Sequence, residues 1–296
     1  MLLTIFTPTY NRGYILGRLY QSLCALDSKD FEWIIVDDGS TDNTDNIVSG
    51  FCNENKIKIR YFKKNHGGKH TAYNIGLREA EGEFFFNIDS DDYVAHDCLS
   101  HLKTIANSIR NNKHLAGYIS MKSDRRGNIL GCLFDLNLHT SSFDELYSQG
   151  YRGEYSIIFL TAIARQYPFP IIDDEYFMPE SVIYNRMSNY RFFLDNNIMT
   201  ICEYLPDGLS SIWNKLRFDN PQGFMLYHQE QADRSKRIIQ LIGNLISFNH
   251  YHYIAKRQGK DCRYKGKHSI LAALISPISW LIDKRIIRRM TSAHEI

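Results

Sequence analysis

The 296-residue chain has six cysteines but no CxxC pair. Cys24, Cys52, Cys98, Cys132, Cys202 and Cys262 lie far apart, which argues against a zinc site or a disulfide framework and for reduced, cytosolic thiols. No apolar run reaches the roughly 20 residues that span a bilayer. The first residues carry no basic stretch and too short an apolar run for a secretory leader, so a cytoplasmic protein is expected. A GxGxxG after the first apolar run is missing, as is GxxxxGK[ST]. Their absence disfavours a dinucleotide oxidoreductase and a P-loop enzyme. The twelve-residue ligand spacing of an EF-hand is also missing. There is no internal repeat and no low-complexity segment. What is present is an ordinary globular composition, 44% hydrophobic and 23% charged, long enough to bury a core without crosslinks. Aromatics at 13% suit a filled core first and a sugar or nucleotide pocket second.

The net charge of +2 hides an asymmetry: residues 232–296 carry +9 and the remainder −7. A basic tail on an acidic body suggests an anionic partner for the tail alone. No recognisable nucleic-acid module accompanies it, so nucleic acid is not expected.

Apolar spacing gives the order of elements. Residues 2–7, 31–36, 58–62 and 83–88 read as strands, the second nearly continuous in apolar content, as in a parallel sheet covered on both faces. Residues 14–26, 42–51 and 70–80 read as the helices between them. Alternation of this kind predicts an α/β fold with right-handed crossovers. Further on, short strands are expected at 118–121 and 129–134, around Arg126-Gly127-Asn128. A helix is expected over 180–190 and a strand over 197–204. Residues 155–164 are apolar but ambiguous, and the chain after 221 reads as helical. The expected organisation is a first half at 1–115, a second half at 116–220, and a helical basic extension at 221–296.

Ligands of open α/β sheets bind at the carboxyl ends of strands. Those ends carry Pro8-Thr9-Tyr10-Asn11, Asp37-Asp38 and Asp89-Ser90-Asp91-Asp92, a convergent and mainly acidic set. Carboxylates two apart repel unless a cation sits between them, and hard divalent ions prefer such oxygens. Mg2+ or Mn2+ keeps open positions for phosphate oxygens. Asp37 and Asp38 repel phosphate but suit a base N–H or a ribose hydroxyl. His66-Gly67-Gly68-Lys69 opens the third helix; its glycines allow close backbone approach, and Lys69 offsets diphosphate charge. His66, His70, His96 and His101 fit no single metal-binding helix face and read as polar structural or donor-loop residues.

These motifs, with residues 35–42 (IVDDGSTD) and 65–76 (NHGGKHTAYNIG), resemble the inverting glycosyltransferases of family 2, which have the GT-A fold. Met178-Pro179-Glu180 and residues 204–210 (YLPDGLS) resemble a bacterial branch that builds surface polysaccharides. The resemblance implies a Rossmann-like, mainly parallel sheet and a nucleotide-sugar donor, UDP-linked by preference. It implies that Pro8, Thr9, Tyr10 and Asn11 line the nucleoside pocket and that Asp38, or else Asp37, accepts the N3–H of a uracil-like base. Asp91 would hold the metal on the diphosphate. Asp89 would face the ribose or sugar, with Ser90 and Asp92 beside it, and Lys69 and Asn74 would support the donor. Inversion needs a base for the acceptor hydroxyl. The family places an acid pair at a helix start; here Glu180-Ser181 stands there, so Glu180 is the first candidate, with Asp173, Asp174 and Glu175 just upstream.

Two other readings compete. A nucleotidyltransferase acting on sugar phosphates would want a glycine-rich basic loop after the first strand, which Pro8 to Arg12 does not supply. A non-catalytic nucleotide-sugar-binding module would show no turnover. Residues 270–282 are apolar but interrupted by Pro277. Ile282, Ile286 and Met290 repeat every four residues opposite Lys284, Arg285, Arg288 and Arg289, with Trp280 at the junction. That pattern predicts an interfacial helix and a peripheral enzyme on an anionic membrane surface, acting on a saccharide or lipid-linked acceptor.

Overall fold

The computed structural model describes residues 1–205, 208, 212–260, 262–277 and 279. The motif at 204–210 is therefore only partly described, and of the interfacial segment expected over 270–290 the part from Trp280 onward lies outside the described residues. Contacts divide the chain into two units. Unit 1 comprises Met1–Phe169 and Arg186–Gly208, and unit 2 comprises Pro170–Asn185 and Leu209–Ile296.

In unit 1 the chain alternates β1 (Leu3–Thr9), α1 (Gly13–Cys24), β2 (Phe31–Asp37), α2 (Thr44–Glu54), β3 (Ile59–Lys63), α3 (Lys69–Glu79) and β4 (Phe84–Asn87). There follow β5 (Tyr93–Val94), α4 (Cys98–Arg110), β6 (Leu115–Asp124), β7 (Thr140–Ser141), α5 (Phe143–Ser148), β8 (Tyr155–Leu160) and α6 (Thr161–Ala164). After α7 (Ser181–Arg186), most of which belongs to unit 2, the chain returns as β9 (Arg191–Cys202). The sheet runs β3-β2-β1-β4-β8-β6-β9-β5, with β7 on β9. β3, β2, β1 and β4 are mutually parallel, whereas β8 is antiparallel to both β4 and β6. Strands from both expected halves, 1–115 and 116–220, pair in this one sheet.

The helical face of α1 read from the sequence is the buried one: Ile15, Leu16, Leu19 and Leu23 join Leu3, Ile5, Trp33 and Ile35 in the core. β2 is buried along its whole length, as its unbroken apolar content requires. On the other face α3 approaches β1 through Gly76, where a Cβ would lie 2.2 Å from the Phe6 ring.

The first four strands stand where the apolar runs placed them. The second half differs. The stretch 129–134 makes only isolated bridges, at Ile129 and Gly131. Its backbone is shared between main-chain and side-chain partners: Leu130 N–H donates to Lys122 O and Cys132 N–H to Arg152 O, both at 3.0 Å, while Asn196 holds both polar groups of Phe134 and the Tyr155 hydroxyl also accepts from Cys132 N–H. The helix expected over 180–190 covers only Ser181–Arg186, and the strand expected from 197 begins at Arg191. The ambiguous stretch resolves into strand β8 followed by the single turn α6.

Unit 2 continues with α8 (Trp213–Asp219), α9 (Pro221–Arg234) and α10 (Ile238–Arg257), then helical turns over 269–277. Phe224, Met225, Phe248 and Tyr251 form one small core; Leu241, Leu245, Ala272 and Ile275 form another. The entry to α9 is capped reciprocally. Glu175 accepts from Gln222 and Gly223 N–H at 3.0 and 3.1 Å, while Asn220 accepts from Tyr176 and Phe177 N–H at 2.6 and 3.1 Å. No described helix is long and apolar enough to cross a membrane.

Candidate active site

Four loops at the carboxyl ends of the parallel strands interlock in unit 1. Asn11, in left-handed backbone geometry at φ 52°, ties the loop after β1 to the loop after β2. Its N–H donates to Ser40 Oγ at 2.8 Å, and its Oδ1 accepts from Thr41 N–H at 2.8 Å. Asp42 returns the link by accepting from Gly13 N–H at 3.1 Å. The loop after β2 is joined to the glycine pair by Asp38. Its carboxylate accepts from Gly67 N–H at 2.9 Å and Gly68 N–H at 2.7 Å, and it also meets the Lys64 ammonium and His66 Nδ1. Lys69, first residue of α3, reaches Asp89 at 2.7 Å and closes the link to the acidic loop.

The residues expected to form the site are therefore brought together, with unequal freedom. Tyr10 is exposed and stacks on the His66 ring, centroids 4.3 Å apart. Pro8 and Thr9 end β1, and the buried Thr9 hydroxyl has no partner among the described residues. Asp37 is fully buried and accepts from Ser40 N–H and the Tyr61 hydroxyl, both at 2.7 Å. These contacts make it a loop-shaping residue. Both ends of the Asn74 amide engage the backbone of Phe169, at 2.9 and 2.8 Å.

The acidic loop is electrostatically graded. Burial opposes ionisation of Asp89, but Lys69 and Lys122 outweigh it and hold that carboxyl below its ordinary range. Burial, then the neighbouring Asp89 charge, raises Asp91. Asp92 is pushed up to about 7 by burial, against the pull of Lys122, whose ammonium is 3.6 Å away. Cys202 Sγ donates to Asp92 at 3.5 Å, and Ser90 is buried between the acids. Asp91 differs from its neighbours: no side chain or backbone group of another described residue donates to it. No group of three or more His, Cys, Asp or Glu able to hold a metal occurs among the described residues. A hard cation here would take Asp91 and leave its other positions to phosphate oxygen and water, the usual behaviour of Mg2+. The oxygen donor set and the repulsion within the loop fit such an ion.

The base candidates lie in unit 2. Glu180 is exposed just ahead of α7 and accepts from the Tyr184 hydroxyl at 3.0 Å. Asp173 and Asp174 are exposed. Glu175 is excluded by its contacts, since it caps α9 and pairs with Lys260 at 2.7 Å. Sequence reasoning missed Lys64, Lys122, Asn11 as a latch and Asp42. Lys122 alone left a trace, a cation inside a buried strand.

A mixed sheet whose parallel strands end in loops that gather acids, a glycine pair and a lysine has the architecture of the GT-A fold. Residues 4–119 match the family model "Glycosyl transferase family 2", and the chain carries a domain of that family. One curated relative is the poly(ribitol-phosphate) beta-N-acetylglucosaminyltransferase TarS of Staphylococcus aureus strain Mu50. It is 38% identical over 101 residues, covering 33% of this chain and 18% of that protein. The chain thus spans less than a fifth of that relative. Among solved structures, S. aureus TarS 1–349 in complex with UDP superposes with a TM-score of 0.57 at 20% identity, over 87% of this chain and 73% of that one. The mannosyltransferase PcManGT from Pyrobaculum calidifontis, in complex with GDP-Man and Mn2+, gives 0.55 at 17% identity, over 98% and 83%. These likenesses establish the fold.

Proposed function

We propose that the chain transfers a sugar from a nucleoside diphosphate donor, UDP-linked by preference, to a saccharide or lipid-linked saccharide acceptor with inversion, in bacterial surface-polysaccharide synthesis. The observation that carries this reading is the closed set of strand-end loops around the acidic loop, where Asp91 accepts from no other described residue. The relative's named activity and the UDP and GDP-Man complexes of the neighbours support it.

On this reading Tyr10 offers a ring to the base, and Asp38 takes its N–H by exchanging one of its side-chain donors, Lys64 or His66, while both backbone donors stay. Lys69 balances diphosphate charge and Asp89 faces the sugar. Asp91 would hold Mn2+ or Mg2+, which when bound supplies positive charge to the leaving diphosphate. Glu180 takes the proton of the acceptor hydroxyl as that oxygen bonds to the anomeric carbon. The bond from that carbon to the diphosphate oxygen breaks with its electron pair on the oxygen. No covalent glycosyl-enzyme is required. A location on the inner face of the cell membrane, through the basic C-terminal region, belongs to the same proposal.

Incubation with UDP-sugars and Mn2+ tests it. UDP release that needs Mn2+ and is lost in Asp91→Asn is the expected result. Wild-type turnover in that variant overturns the metal assignment, and pyrophosphate chemistry in place of UDP release turns the reading to nucleotidyl transfer.

A further inference from the structure

Unit 2 holds a cleft of about 500 Å3 between α10 and the helical turns of 269–277. Asn249, His252, Tyr253 and Lys256 form one wall; Ala273, Ser276 and Pro277 form the other. Its volume lies within the roughly 300–1,000 Å3 of small-ligand sites. None of these residues is acidic, and Lys256 makes no ion pair with a described carboxylate. The sequence around it is basic: residues 232–279 contain nine Lys and Arg against two acids, Asp233 and Asp261. His252 Nδ1 is buried without a hydrogen-bond partner among the described residues. Ser276 adds a hydroxyl donor at the same cleft. The remaining lining, the Tyr253 ring with Ala273 and Pro277, is apolar. On the same turns Ile270 and Leu274 are 78% and 69% exposed.

Cation, imidazole and hydroxyl beside apolar walls suit an anion carried on an apolar body. We infer that this cleft binds the phosphate group of a phosphate ester, with Lys256 as the charged contact and His252 and Ser276 as hydrogen-bonding contacts. The inference deepens the acceptor side of the proposed function, but it concerns unit 2 alone and is read out by binding, not by turnover. The phosphate could belong to a lipid head group or be free in solution, and the test separates the two.

The full-length protein, with UDP in excess to fill the donor site, is titrated with inorganic phosphate. In parallel it is floated with phosphatidylcholine vesicles with and without phosphatidic acid. Lys256→Met, at an exposed position, should keep its melting temperature and its UDP binding. It should weaken phosphate binding about tenfold, the size of a charge-assisted contact. Ile270→Gln with Leu274→Gln should weaken only the binding of phosphatidic acid vesicles, if the phosphate is a lipid's. Lys256-dependent phosphate binding without vesicle binding assigns the cleft to a soluble phosphate. Unchanged binding of both probes in Lys256→Met overturns the site, whatever the outcome of the transfer assay.

Discussion

His70, two residues past the glycine pair, is 2% exposed, and neither ring nitrogen has a partner among the described residues. Burial lowers its pKa to about 4, with Asp38 pulling upward and Lys64 downward, and the Phe169 ring meets its edge. The folded state therefore refuses a proton that the unfolded chain accepts below about 6.5. Stability from this group is complete above that value and is lost as pH falls toward 4, to a depth of about 3 kcal/mol. Denaturant titrations across this window should show the slope, and His70→Phe should flatten it. At Glu180 the expectation is kinetic. Glu180→Gln keeps shape and UDP-sugar binding while turnover falls by about 10² to 10⁴. Full activity there, with loss in Asp173→Asn or Asp174→Asn, moves the base upstream.

At the scale of elements, two junctions decide what the loops can do. α3 carries Lys69 and sits on β1 through Gly76, whose missing Cβ makes room for Phe6. Gly76→Ala must displace that ring and should cost about 1–3 kcal/mol, read as a lower denaturation midpoint with an unchanged slope. The entry of α9 depends on Glu175 and Asn220. Burial works against the Glu175 charge and raises its pKa, while Lys260 and the two helix N–H groups hold it in place. Glu175→Ala strips the helix entry and leaves Lys260 without its carboxylate, with only Asp174 O to accept from it. A loss of about 3 kcal/mol is expected, largely recovered in Glu175→Gln if capping outweighs charge.

At the scale of the molecule, the C-terminal turns belong to the core of unit 2. Ala272 and Ile275 are 2% and 9% exposed against Leu241 and Leu245, and Asn249 Nδ2 donates to Ala272 O at 2.9 Å. The apolar run from 270 thus spends positions 272 and 275, three apart on the helix, on packing while Ile270 and Leu274 face solvent. Deleting 269–296 should lower the melting temperature by opening this core. A truncated chain that melts like the full one would show that these turns contribute nothing to stability.

The amino-acid sequence by itself determined the first half. Its apolar runs are long, their periods are unambiguous, and each ends in a polar motif at the same end of a parallel strand, so both β1 to β4 and the acidic loop were legible. Asp89, Asp91 and Asp92 could be named because local order alone places them after β4. Tertiary structure decided the rest. Which acid is free depends on donors distant in sequence: Lys122 and Cys202 reach Asp92, Gly67 and Gly68 reach Asp38, and Lys260 removes Glu175 from the base candidates. The strand expected at 129–134 is reduced to isolated bridges: Leu130 and Cys132 bond the backbone of Lys122 and Arg152, and Phe134 turns to the side chain of Asn196, 62 residues away. The two-unit division, with 170–185 joining the C-terminal helices, likewise follows from reciprocal capping between Glu175 and Asn220. Side-chain contacts of that separation leave no period in a sequence, and only the folded chain brings them into reach.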